Sequence, residues 1–191
     1  MTEKTILELG AGAGLPSLLA GLYKAKLVLV TDYPDNNLID NLSYNIEHCL
    51  QNGALPNVTA RGYLWGADPA TLLEVLPART RFDTLLLADL LFNHACHDAL
   101  LKTIVDTLAY HENAAALVFF SPYRPWLLQK DLAFFDLLRQ DGRFEVQDVG
   151  KWMMDSVMFE KDQGDEELRR TVFGYKVKWT ARSIADFAAA T

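Results

Sequence analysis

Apolar residues along this chain fall into short continuous blocks that alternate with longer stretches of helical spacing. Ile6, Leu7 and Leu9 form the first block, so Thr5 to Leu9 reads as a short buried strand. Gly10, Gly12 and Gly14 follow at alternate positions, then Leu15-Pro16. Glycine permits positive φ and a close backbone approach, and proline suits the first turn of a helix. The pattern predicts a strand, a tight turn and a helix over Leu15 to Leu22. A second β-rich run, Lys26 to Thr31, ends in Asp32. Pro34 to Leu50 predicts the next helix. Leu38, Leu42, Ile46 and Cys49 mark its buried stripe and Asn52-Gly53 its end. Val58 to Leu64 is a third strand that runs into Trp65-Gly66, and Asp68-Pro69 caps a short helix to Leu76.

Phe82 to Ala88 is the most continuous apolar run, as in a central strand covered on both faces. His94 to Leu108 reads as a helix and Ala114 to Phe120 as a fifth strand. The loop Ser121-Pro122-Tyr123-Arg124-Pro125-Trp126 follows, then a helix from Leu127 to Leu138. Phe144 to Val149 alternates like a half-exposed strand, Asp162 to Arg170 is a charged, solvated connection, and Thr171 to Trp179 is a last strand. Ser183 to Thr191 is an alanine-rich tail. Strands alternating with helices predict an α/β chain with an open, mostly parallel sheet flanked by helices. Two consecutive strands near the end predict a C-terminal antiparallel hairpin.

Composition narrows the partners. The 191 residues suit one domain, and half of them are apolar, enough for a sizeable core. A net charge of −7 argues against nucleic-acid binding, which needs basic patches, and gives solubility or an attraction for a basic substrate. Cys49 and Cys96 are too few for a disulfide framework and point to a reducing, cytoplasmic compartment. No apolar run is long enough to span a bilayer.

In open α/β sheets ligands bind outside the carboxyl ends of the strands. Those ends carry the candidate chemistry. A dinucleotide turn needs its third glycine at position 15, where this chain has Leu15, so that fingerprint fails. Asp32 lies 22 residues after Gly10, the place for an acid that accepts from both ribose hydroxyls, although Asp-Tyr-Pro also starts a helix well. Trp65 either covers an adenine face or belongs to the core. Asp89-Leu90-Leu91-Phe92 places an acid three residues before an aromatic at the carboxyl end of the fourth strand. His94, Cys96 and His97 do not suggest a metal site, because ligands on adjacent positions of a helix start diverge. His94 reads as a helix-start or substrate-contact residue and His97 as helix surface. Tyr123 and Trp126 either line a substrate groove or anchor their loop.

Together Leu-Glu-Leu-Gly-Ala-Gly-Ala-Gly-Leu-Pro-Ser, Thr-Asp-Tyr-Pro-Asp, Leu-Trp-Gly and Ala-Asp-Leu-Leu-Phe-Asn-His resemble the seven-β-strand, family-16 S-adenosylmethionine methyltransferases over nearly the whole chain. The resemblance is nearest to the group that methylates N-terminal and lysine amines of proteins. It implies a Rossmann-like fold and S-adenosylmethionine as cofactor. It implies that Gly10, Ala11, Gly12 and Gly14 contact that cofactor, that Glu8 accepts from its amino-acid portion, and that Asp32 holds the ribose. Trp65 and Ala88 would border its adenine and methionine portions. Asp89 and Phe92 would be catalytic, with Asn93, His94 and Tyr123 on the substrate side. The implied partner is a protein, elongation factor 1-alpha; the chain is taken to be a monomer, and the charge, hydropathy and histidine spacing above leave no nucleic acid, membrane or metal among the expected partners. Family members carry a longer front segment with a further cofactor-contacting Trp. The expectation is a single methyltransferase domain without that covering segment. The alternatives are a nicotinamide-like small-amine methyltransferase and a non-catalytic binding module.

Overall fold

The computed structural model describes residues 2–49, 53, 55–78 and 80–190. The front apolar block is strand β1 (Thr5–Leu9), buried in all but its first residue. β2 (Leu27–Asp32) pairs with it in parallel, and β3 (Val58–Gly62) continues that side. β4 (Thr84–Ala88) pairs on the other side of β1, followed by β5 (Ala115–Phe120). β6 (Phe144–Met153) and β7 (Thr171–Trp179) close the sheet, with β7 inserted antiparallel between β5 and β6. The order is therefore β3-β2-β1-β4-β5-β7-β6. It reverses between β1 and β4, so a crevice opens beyond their carboxyl ends. The mostly parallel sheet and the terminal antiparallel pair are both as the sequence predicts. β6 outruns the expected Phe144–Val149, because a bulge between Asp148 and Gly150 lets pairing resume as far as Met153.

Helices α1 (Leu15–Leu22) and α2 (Asn36–His48) cover β1 to β3 on one face, where Leu42 and Ile46 of α2 cluster with Ile6, Val28 and Val30 of the strands. A four-residue helix, α3 (Ala70–Leu73), follows β3, with Asp68 accepting from the Ala70 N–H at 3.0 Å. On the opposite face α4 (His97–Thr107) and α5 (Leu128–Asp141) pack over β4, β5 and β7. Phe134 and Phe135 anchor that side, and Phe135 stacks on Tyr175 with centroids 3.9 Å apart. Each such buried aromatic contributes roughly 1.5–3 kcal/mol. Beyond α1, among the described residues, its own face of the sheet is only partly covered. There Leu86, Ala88, Leu117 and Phe119 form an apolar groove of about 350 Å³ with Leu19 and Tyr23.

Several local expectations change. Leu38 is exposed, so the buried stripe of α2 begins at Leu42. Asn52, the expected end of that helix, lies outside the described residues, and α2 ends at His48. His97 is not helix surface: it is buried, bonded to the Leu91 carbonyl at 2.9 Å and edge-on to Phe134. The charged connection contains a short helix, α6 (Glu166–Arg170), capped by Asp165, and Arg169 within it is buried. The alanine-rich tail is helix α7 (Ala181–Ala190), whose Phe187 stacks on Tyr110. Among the described residues no helix is long and apolar enough to cross a membrane.

Candidate active site

The turn after β1 uses its glycines for different reasons. Gly10, Gly12 and Gly14 all have positive φ, of 58°, 57° and 75°. A Cβ at Gly10 would lie 2.6 Å from Leu90 and 2.9 Å from Trp65, so only glycine lets the turn close against them. A Cβ at Gly12 would meet nothing within 4 Å, because that position faces open space. Gly14 is the N-cap of α1. The turn is tied to the end of β2. Ala11 N–H donates to the Thr31 carbonyl at 3.0 Å, and Gly12 N–H donates to Asp32 Oδ2 at 2.7 Å. Asp32 Oδ1 accepts from the Tyr33 N–H at 2.6 Å.

Glu8 does not line the crevice. It is 1% exposed, and its Oε2 accepts from the Ser17 N–H at 3.0 Å, beneath the first turn of α1. Burial pushes its carboxyl up to about 7; hydrogen bonding from Ser17 opposes the rise and the charge of Asp32 adds to it. The unfolded chain's glutamate titrates near 4.3. Between those values the folded state binds more protons, so Glu8 supports stability below the unfolded value. That support is lost as pH rises through about 7. We expect Glu8→Gln to gain on the wild type by up to about 3 kcal/mol between pH 4.5 and pH 7.5. Urea unfolding of the two proteins across that range checks it, and parallel pH profiles would show that Glu8 is not the source.

Asp89 follows β4 with φ 54°, a left-handed conformation that Asp tolerates better than most residues. The turn aims its carboxylate at the loop after β5. Oδ1 accepts from the Ser121 N–H at 2.8 Å and Oδ2 from the Tyr123 hydroxyl at 3.0 Å. Burial first, then the charge of Asp89, raises the Tyr123 phenol well above its ordinary value, which keeps it protonated as a donor. Between Asp32 and Asp89 runs a cavity of about 310 Å³, lined by Gly10, Asp32, Tyr33, Tyr63, Leu64, Trp65, Asp89, Phe92 and Asn93 among others.

Six residues picked from the sequence thus share one crevice: Gly10, Asp32, Trp65, Asp89, Phe92 and Asn93. Trp65 lines the crevice and also packs on the core, as the second of its two readings has it. The others fall elsewhere. Ala11, Gly12 and Gly14 belong to the turn without lining the cavity, and Ala88 faces the apolar groove beside α1. Tyr123 lines a neighbouring groove that shares Asp89 and Phe92. His94 is turned inward, its Nε2 2.6 Å from Asp131 Oδ1 on α5. Burial raises the Asp131 carboxyl, and the imidazole pulls it back. Sequence reasoning missed Asp131, although a signal existed: it is an acid in register with Phe134, Phe135 and Leu138 on the buried stripe. It also missed Tyr33, Tyr63 and Leu64, which line the crevice next to Asp32 and Trp65. Among the described residues no cluster of His, Cys, Asp or Glu is placed to hold a metal ion.

The crevice fits S-adenosylmethionine. Gly12 leaves the turn open to a close ligand, Asp32 offers a carboxylate for ribose hydroxyls, and Trp65 and Leu64 supply apolar surface for a base. A glycine turn after β1, an acid at the end of β2 and a crevice reaching an acid after β4 make one pattern, on a sheet with β7 inserted antiparallel. It is that of a class I methyltransferase. Residues 1–141 match the lysine methyltransferase family, and this chain belongs to it. It is 43% identical over 190 residues to the protein N-terminal and lysine N-methyltransferase EFM7 of Gibberella zeae, covering 94% of this chain and 71% of that protein. It is 45% identical over 185 residues to the efm7 protein of Neurospora crassa, covering 93% of this chain and 65% of that protein. The YcgJ protein of Bacillus subtilis shares the fold with a TM-score of 0.63 at 13% identity, covering 92% of each chain.

Proposed function

We propose that this chain transfers a methyl group from S-adenosylmethionine to the N-terminal amine or a lysine amine of a protein, elongation factor 1-alpha, with Asp89 holding the amine. The supporting observation is Asp89, an acid in a constrained left-handed turn at the far end of the crevice from Asp32. The relatives' names and the family match support a protein amine as acceptor. The two free cysteines, Cys49 and Cys96, support a reducing, cytoplasmic setting.

The cofactor, when bound, supplies an electrophilic methyl on its sulfonium. The backbone of Gly10, Ala11, Gly12 and Gly14 would border its amino-acid end, with Glu8 bracing the helix start beneath. Asp32 would accept from the ribose, while Trp65 and the Ala88 backbone would flank the adenine and methionine ends. In-line transfer needs position more than covalent help. Asp89 would grip the acceptor ammonium by a charge-assisted bond, with Phe92 and Asn93 as walls. The amine must be neutral to attack, and a lysine near 10.4 is mostly charged at neutral pH. Asp89 favours the charged form, so the proton leaves to water as the acceptor seats and desolvates. An N-terminal amine, near 7.7–8.0, needs less help.

Radiolabelled methyl transfer to purified elongation factor 1-alpha, with the product mapped by mass spectrometry, tests the proposal. Label is expected on the N-terminal or a lysine amine, and excess nicotinamide should leave the rate unchanged. Label on nicotinamide and none on protein would overturn it.

A further inference from the structure

Beside the crevice the connection between β6 and β7 walls a second, open groove of about 440 Å³. Asp89 and Phe92 line both spaces, so the groove continues directly from the expected point of transfer. Tyr123, Met158 and Phe159 give it an apolar floor, and Asp162 stands at its rim. Arg124 also lines it, its charged guanidinium drawn toward the crevice side by an Nη2 bond to the Phe92 carbonyl at 2.9 Å.

This wall is built into the site. The Tyr123 hydroxyl bonds Asp89 at 3.0 Å, and the Phe159 ring meets the Tyr123 ring edge-on at 5.8 Å. The Phe159 carbonyl accepts from Nη1 of Arg169 at 2.8 Å, and Arg169 is buried. At Gly164 the connection runs so close to Pro125 that a Cβ there would lie 3.1 Å away. Yet Met158 is 59% and Phe159 52% exposed, much apolar surface for one short connection. Between Met154 and Glu167 the chain carries six acids against the single Lys161. A floor of exposed Met and Phe with Asp162 beside it, on a connection of net negative charge, complements a partner with apolar and basic side chains and repels nucleic acid.

We propose that this groove seats the polypeptide of the acceptor protein next to the methylated amine. An apolar acceptor side chain rests on Met158 and Phe159, and a Lys or Arg beside the reacting amine reaches Asp162. The proposal rests on the protein-amine reading above and adds to it a preference for a basic sequence around the methylated site.

The test loads the chain with S-adenosylhomocysteine. It then titrates two fluorescein-labelled peptides of equal length and apolar content, one rich in Lys and Arg and the other rich in Glu, followed by anisotropy. The basic peptide should bind about 10-fold tighter, with the preference shrinking at high salt. Asp162→Lys should remove most of that preference. Phe159→Ser and Met158→Ser should each weaken the basic peptide about 5-fold. All three positions tolerate polar side chains for folding, which unchanged S-adenosylhomocysteine binding verifies. Equal affinity for the two peptides, or variants that bind like the wild type, would overturn the groove proposal. So would a dimer in sedimentation that dissociates in Phe159→Ser, because a second copy would then be the occupant. The underlying reading is scored separately: absence of methyl transfer to protein with the peptide preference intact would remove that reading and leave the groove.

Discussion

Asp32→Ala is expected to weaken S-adenosylhomocysteine binding about 100-fold while the free chain stays folded. An ionised carboxylate offers roughly four lone-pair sites. Two are used within the chain, by the Gly12 and Tyr33 N–H groups at 2.7 and 2.6 Å. The remaining two suit a pair of ribose hydroxyls. A hydrogen bond to a charged group contributes about 1.5–3 kcal/mol, so losing two costs at least about 3 kcal/mol. At about 1.4 kcal/mol per decade, that is two orders of magnitude. The freed Gly12 N–H lies on an exposed turn, where water can replace its lost acceptor, so the fold loses little. Asp32→Asn keeps an oxygen and discards the charge, and an intermediate loss of about 10-fold follows. Titration calorimetry on the three proteins decides it. Wild-type affinity in a folded Asp32→Ala would mean that the ribose lies elsewhere.

What the sequence revealed was what local spacing encodes. The β1 turn is announced by glycines within five residues, and the β2 acid follows at the distance of one strand–helix–strand unit. Runs such as Thr84–Ala88 read as central strands because they are apolar without alternation, although only one face of this strand is fully buried: Leu86 and Ala88 on the other line the groove beside α1. The terminal hairpin was legible because no helical stretch long enough for a crossover separates its strands. The misses are contacts between residues far apart in sequence. His94 pairs with Asp131, 37 residues away, and nothing in Asn-His-Ala-Cys-His shows that its first histidine turns inward. His97 is buried because α5 brings Phe134 against it. Leu38 is exposed because its neighbour Ile39 is the first-turn residue that packs with Leu42 and Ile46 against the sheet, whatever the helical spacing suggests. Ala88 faces away from the crevice because side chains alternate along β4, so adjacency to Asp89 put it on the opposite side. Glu8 reads as a ligand contact by motif, yet its partner is the backbone of Ser17, set by how α1 folds back over β1.

Asp89→Asn should lower kcat/KM for a protein acceptor about 100-fold and leave S-adenosylhomocysteine affinity within about 2-fold. Asn is the informative substitution. It tolerates the left-handed φ of 54° that would strain Ala, and its side-chain oxygen can still accept from the Ser121 N–H. The Tyr123 hydroxyl can rotate to suit the amide. The shape of the site is thus preserved, and only the negative charge facing the amine is lost. A charge-assisted bond to an ammonium is worth about 2–3 kcal/mol, which matches the expected loss in rate. A second readout separates this from mere damage. A neighbouring carboxylate favours the protonated amine, so its removal lowers the pH at which the bound acceptor becomes neutral. The rising limb of the pH–rate profile should therefore move toward acid by about one unit in Asp89→Asn, even as the plateau falls. A lower plateau with an unmoved limb would show that Asp89 shapes the pocket without touching the amine. An unchanged rate would assign the amine to another acid.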